Sequence, residues 1–363
     1  MVSSPLVPAA AVPPPAVPGP GTRPPLPATT LPDPVGVDGG PGNGLAVTHD
    51  VGRSVRVGWR GAELFHYVYA AQEPRDEAPR PYFHPLRTLA GNVVSLYRPH
   101  DHLWHKGLCF GISNFGPDNF WGGSTYLRGQ GYRKLDNIGV VEHLDFPVLR
   151  RDPDAVRLVE RLRWVGRDGG AAVSERRRLA VAVWANQSAW RLRFETVLRN
   201  DGDTVITIGS PTTQGRENAG YGGLFWQGPR SFRGGRVVTP TGVGADELMG
   251  WRGRWLGFVG RHDGLGPAET LASTLVFRDD PANPGAPTRW FVRTEPYGCL
   301  GPAPFFDREY PFAPGTELRL RYDVVVADGE RDPAGCARLA DRAGATELLT
   351  GATELLTDPA EPG

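Results

Sequence analysis

Cysteine is scarce in this chain: three in 363 residues, Cys109, Cys299 and Cys336, an odd count with no Cys-x-x-Cys pair. That argues against a disulfide framework and makes a reducing compartment the default, so the expected location is the cytoplasm. Net charge is missing as well. Lys plus Arg and Asp plus Glu stand at 40 each, so no overall field draws the chain to nucleic acid or to an anionic membrane. Basic runs such as Glu175-Arg176-Arg177-Arg178 read as the solvated face of a strand. No window reaches the roughly 18 apolar residues of a transmembrane helix. The first residues carry no basic n-region and their apolar positions are broken by prolines, a poor match to a signal peptide. A phosphate-cradling glycine motif on a strand-to-helix turn is also lacking, and no helix-period pattern of about ten residues precedes residue 333.

Glycine (48) and proline (36) are plentiful but unevenly spread. Residues 1–44 are Pro, Ala and Gly with hardly any charge or aromatic content, and are expected to form a disordered leader that cannot bury enough apolar surface to offset its ordering entropy. From Leu45 the texture changes to alternating runs. Val156, Leu158, Glu160, Leu162 and Trp164 share one face of a period-two pattern. Trp190, Leu192, Phe194, Thr196 and Leu198 do the same against Arg191, Arg193 and Glu195, and Leu318 to Val326 repeat it. Such runs predict antiparallel strands with one apolar and one wet face. Turn pairs such as Asp201-Gly202, Asp263-Gly264 and Pro314-Gly315 punctuate them. The predicted fold is all-β, a large antiparallel β-sandwich over 45–332, followed at 333–363 by a short surface helix and a frayed tail that contains a tandem GATELLT repeat.

One stretch concentrates titratable groups. His100, Asp101, His102 and His105 fall in RPHDHLWHKGL, and His84 stands shortly before it in PYFHPL. Extended backbone would put His100 and His102 on one face, a way to present two metal ligands; coiled backbone would instead pair His102 with His105. Neither matches the spacing of a facial iron triad. Three readings stay open: a divalent metal held by His100, His102 and His105; a metal-free acid/base site; or hydrogen-bonded structural histidines. No motif specifies a cofactor.

HPLRTLAGNVVSLYRPHDHLWHKGL, NFWGGSTYLRGQGY, SPTTQGRENAGYGGLFWQGPRSF and WFVRTEPYGCLGPAPFF together resemble the PmoA-like family, over about Leu45 to Asp328. The recurrent Asp-His-x-x-His of that family is matched by Asp101, His102 and His105, and its later signature by Arg293, Tyr297, Gly298, Pro304 and Phe305. The resemblance implies a sandwich of the galactose-mutarotase type and a small-molecule carbohydrate as ligand, with no nucleic-acid or membrane partner. Oligomeric state is left open.

On that reading His102 and His105 act as acid or base, Asp101 orients one imidazole, and Glu217 or Glu295 supplies a partner carboxylate. Glu217 lies in the Gly-rich GRENAGYGG and Glu295 at a strand end beside Arg293. Ligand-binding candidates are His84, Arg98, Trp104, Trp121, Tyr126, Arg216, Asn218, Tyr221, Arg293 and Tyr297. The aromatic rings among them would stack on sugar C–H faces. Arg98, Arg128, Arg216 and Arg293 suit a carboxylate or phosphate, as on a uronate or sugar phosphate. Phe120 and Trp226 complete the aromatic set, of which two or three members are expected to reach a pocket while the rest pack in the core.

Overall fold

A computed structural model describes residues 35–36, 44–170, 172–264 and 271–345. Most of the Pro-rich leader and the tandem repeat beyond residue 345 lie outside the described residues. Within the leader, a two-residue strand at Val35–Gly36 pairs with Leu45–Asp50.

Two nine-stranded antiparallel sheets carry the fold. The first runs in the order Val35–Gly36, Leu45–Asp50, Ser54–Trp59, Ala62–Val68, Tyr82–Leu86, Leu108–Gly111, Gly223–Gln227, Cys299–Ala303, Arg289–Arg293. The second runs Val140–Arg151, Val156–Val165, Val173–Trp184, Ala189–Asn200, Glu317–Asp328, Ala272–Asp279, Trp255–Arg261, Arg236–Thr239, Gly242–Gly244. Each strand offers one apolar face, and the two sets meet in a single core. Phe65, Phe83, Leu108 and Trp226 come from the first sheet, and Leu158, Leu192, Phe194 and Val324 from the second. The sandwich expected from the alternation is therefore present.

The expectation of one wet face per strand fails in the middle of the second sheet. Arg191, Arg193 and Glu195 alternate with the core residues as expected, yet all three are buried. The helix Pro333–Ala345 lies across that outer face and packs Cys336, Leu339, Ala340 and Ala343 on Val276, Val325 and Ala327. Asp323 beneath it draws in Arg191 at 2.9 Å, Arg193 at 2.9 Å and Arg278 at 3.1 Å. Arg191 also donates to the carbonyl of Ala343 in the last turn of the helix, where a cation complements the helix dipole.

The basic run at 175–178 is likewise not a solvated face. Glu175 and Arg177 point between the sheets, where Glu175 accepts from the Trp164 indole and the Thr196 hydroxyl at 2.8 Å each, and Arg177 donates to Tyr67 at 3.0 Å. Tyr67 hydrogen-bonds Glu160, which His143 approaches at 2.8 Å. Arg178, on the outer side, is buried against Glu195. Charged residues were legible as strand residues, but their cover comes from elements far along the chain.

Candidate active site

The cavity that matters lies on the outer face of the first sheet, away from the core. Side chains alternate across Gly223–Gln227, so Leu224 and Trp226 enter the core while Phe225 points outward with Trp121 and Cys299. Trp104, Tyr221, Phe291 and Tyr297 pack around this second cluster. Together they wall a cavity of about 330 Å³, into which His102, His105, Arg216, Asn218 and Arg293 also face.

The histidine stretch is neither extended nor helical. It makes two tight turns, closed by hydrogen bonds from His102 N to Pro99 O and from His105 N to His102 O, both 2.9 Å. Arg98 N to His105 O and Gly107 N to Leu96 O, also 2.9 Å, pin the base of the loop. This winding stacks the rings of His102 and His105 with centroids 4.8 Å apart. His100 is left exposed on the outside. Among the described residues no three His, Cys, Asp or Glu side chains converge as a metal set. The triad of His100, His102 and His105 that the spacing admits is therefore not assembled.

His105 is buried, with its Nδ1 on the amide oxygen of Gln227, and that bond leaves Nε2 as the acceptor. Burial, with His102 adding to it, pushes the His105 imidazole down to about 3, so it is neutral. His102 is also lowered, by burial, against the opposing pull of Asp101. Its Nε2 lies 3.3 Å from the Tyr297 hydroxyl and its Nδ1 3.5 Å from Asp101. Burial works to raise the Asp101 carboxyl, but the hydrogen bond and charge of Arg230 outweigh it and hold it below its ordinary value. Burial raises the Tyr297 and Tyr221 phenols, which keeps both protonated as donors.

The aromatic walls are set from behind by two polar side chains. Buried Arg80 donates to the carbonyls of Trp121 and Trp104, each at 3.0 Å. Asn119 Oδ1 accepts from the amides of Trp121 at 2.8 Å and Gly122 at 3.0 Å. Gly122 has φ +101°, and a Cβ there would sit 2.6 Å from that of Trp104, so only glycine lets the two loops close. The hairpin Thr125–Leu127/Gly131–Arg133 brings Tyr132 over the cavity, where it meets Tyr221 hydroxyl to hydroxyl at 2.9 Å and accepts from Arg216.

Ten candidates meet at this cavity: His102, His105, Trp104, Trp121, Arg216, Asn218, Tyr221, Arg293 and Tyr297 line it, and Asp101 braces His102. The others lie elsewhere. Glu217 is exposed, and Glu295 is exposed and paired with Arg233; neither lines the cavity. His84 lies within the strand Tyr82–Leu86 and bonds Ser95 at 2.8 Å, and burial lowers it to about 4. Arg98 makes a two-pronged contact with Glu77 at 2.8 and 2.7 Å. Arg128 donates to Thr213 O, and Tyr126 packs edge-on against Tyr132. Phe120 and Trp226 are core residues. Sequence reasoning missed Gln227, Arg230, Tyr132, Phe225 and Phe291. The first two lie next to Trp226 and the Pro-Arg turn in WQGPR, but only folding brings them to the histidines.

A model described as a family of unknown function (DUF6807) matches residues 54–341. The chain belongs to DUF6807. No curated protein matches it. Among solved structures, the DUF6807 chain is similar to heparan sulfate lyase HepC from Pedobacter heparinus, at 8% identity and TM-score 0.36 over 83% of this chain and 37% of that one. It is also similar to the GH36 α-galactosidase AgaB from Geobacillus stearothermophilus, at 10% identity and TM-score 0.36 over 84% and 42%. A third is galactose 1-epimerase from Lactobacillus acidophilus NCFM, at 8% identity and TM-score 0.30 over 79% of this chain and 92% of that one. The chain thus spans well under half the length of the lyase and the α-galactosidase. The β-sandwich itself rests on this chain's own two antiparallel sheets. Among the described residues no helix is long and apolar enough to cross a membrane.

Proposed function

We propose that this cavity binds a sugar or keto-sugar derivative and moves a proton on it, with His102 as the transferring group. The observation that carries the reading is the stacked His102–His105 pair among aromatic walls, with Tyr297 on one nitrogen of His102 and Asp101 near the other. A neutral imidazole of lowered pKa is a base at neutral pH. Having taken a proton from a substrate hydroxyl or C–H, His102 becomes a cation that Asp101 stabilises, and Arg230 holds Asp101 in place for it. Return of the proton at a neighbouring atom completes an isomerisation; after removal of a C–H proton, its delivery to a leaving oxygen as the C=C bond forms completes an elimination, which cleaves a glycoside where that oxygen is glycosidic. Nε2 of neutral His105 accepts a substrate hydroxyl, and the Tyr297 hydroxyl donates one. The aromatic rings supply flat apolar faces for the sugar's C–H groups.

Asp101, His102, His105, Arg293 and Tyr297, on which the resemblance to the PmoA-like family was read, all stand at this site, while the family that matches the chain is DUF6807. Three buried free cysteines fit a reducing cytoplasm. The test is a nuclear magnetic resonance screen of hexoses, keto-hexoses, uronates and glycosides with the native chain and His102→Ala. Turnover is expected to fall roughly 100-fold or more in the variant, with unfolding free energy held within about 0.5 kcal/mol. Tight sugar binding that survives loss of His100, His102 and His105 together, without turnover in the native chain, would make the protein a non-catalytic sugar-binding sandwich instead.

A further inference from the structure

The charged side chains that line the cavity are of one sign. Arg216 and Arg293 line it, both imidazoles are held towards neutrality, and Tyr221 and Tyr297 stay protonated. No Asp or Glu is among the lining residues. The carboxylates that might have balanced the arginines are otherwise engaged or absent from the wall: Asp101 is committed to Arg230, Glu295 to Arg233, and Glu217 is exposed. Arg293 has a partial counterion, with Asp246 at 3.7 Å. Arg216 has none. Among the described residues it forms no ion pair, and its guanidinium lies over the Tyr132 ring, 4.7 Å from the centroid, while bonding the hydroxyl of that residue.

Other half-buried arginines, among them Arg56, Arg87, Arg230, Arg289 and Arg321, have a carboxylate partner. A guanidinium fixed by packing at a cavity wall, with donors unspent and no counterion, is what recognition of a planar or tetrahedral anion requires. We infer that the ligand is a sugar bearing one anionic group, bound by Arg216 with Arg293 in support, while its ring lies between the aromatic walls beside His102. This rests on the sugar reading above and names the class within it. A carboxylate on the sugar and a phosphate or sulfate share this chemistry.

Isothermal calorimetry on the full chain, with galactose and glucose, galacturonate and glucuronate, and the two hexose 6-phosphates, tests it. At least one acidic sugar is expected to bind ten times or more tightly than its neutral parent, and to weaken as salt rises from low to physiological strength. Uronates and phosphates separate the two sources of the anion. Arg216→Gln should remove that preference and its salt dependence, and Arg216→Lys should restore part of it. An intact melting midpoint in Arg216→Gln shows that the loss is not one of folding. Equal binding of charged and neutral sugars overturns the inference and leaves the sugar site standing. Absence of binding by every sugar, charged or neutral, overturns both.

Discussion

The outer faces of the two sheets both carry arginines, and they use them in opposite ways. On the second sheet, Asp323 gathers Arg191, Arg193 and Arg278 under the helix, and Glu195 holds Arg178 and Arg321. Beside the first sheet, Arg216 stands in a loop at the cavity wall, over the Tyr132 ring and bonded to its hydroxyl, and among the described residues it has no ion pair. A buried charge that lacks a partner is costly, so a fold retains one only where paired or where water or a ligand can reach it. The paired face is structural cement. On the other face Arg230 and Arg293 have acids, and Arg216, without one, is where the proposed anionic ligand would complete the electrostatics.

This contrast is sharpest at Asp323. Replacing it by Ala leaves three guanidiniums without their carboxylate, two of them fully covered, and should cost about 3–5 kcal/mol in urea unfolding. A loss below about 1 kcal/mol would mean that water reaches this face and that the two faces do not differ in kind.

The next largest effect is one of pH. His105 folds with its imidazole near 3 and unfolds near 6.5, so the unfolded chain binds a proton that the folded chain refuses. Its contribution is fully present above 6.5 and is lost as pH falls from there towards 3. The slope reaches about 1.4 kcal/mol per pH unit for one such group. His105→Gln should flatten the stability–pH curve by that share in this window. An unchanged slope would show the ring to be solvated rather than walled in.

The smallest effects are expected at the two carboxylates outside the cavity. Glu217→Ala and Glu295→Ala should each shift stability by no more than about 0.5 kcal/mol, being exposed, and should leave turnover at the native rate. A large loss of turnover in either would return that carboxylate to the acid/base chemistry, and would place it at the cavity in the ligand-bound protein.

Much of this was readable along the chain. Val156 to Trp164 and Trp190 to Leu198 alternate with period two because each strand buries one side, and that is enough to announce a sandwich. Asp101, His102 and His105 stood out because so many titratable side chains rarely crowd into one loop without a use. Trp121, Tyr221 and Tyr297 were singled out by their nearness to those motifs, although Phe120 and Trp226, equally near, turned out to face the core. A one-residue change of position along a strand reverses the face, so nearness in sequence could not separate Trp226 from Phe225.

Local pattern by itself determined the β class and the helix after residue 332, since each follows from backbone preference and periodicity within a few residues; the double turn that stacks His102 on His105 it did not. Tertiary structure alone decided which charges are buried and which carboxylates reach the site. Arg230 meets Asp101 and Gln227 meets His105 across more than a hundred residues, and the helix that covers Arg191 arrives from still farther along the chain. Those pairings depend on where the sheets bring distant strands, and burial and electrostatics act on distances in space, which no local spacing encodes.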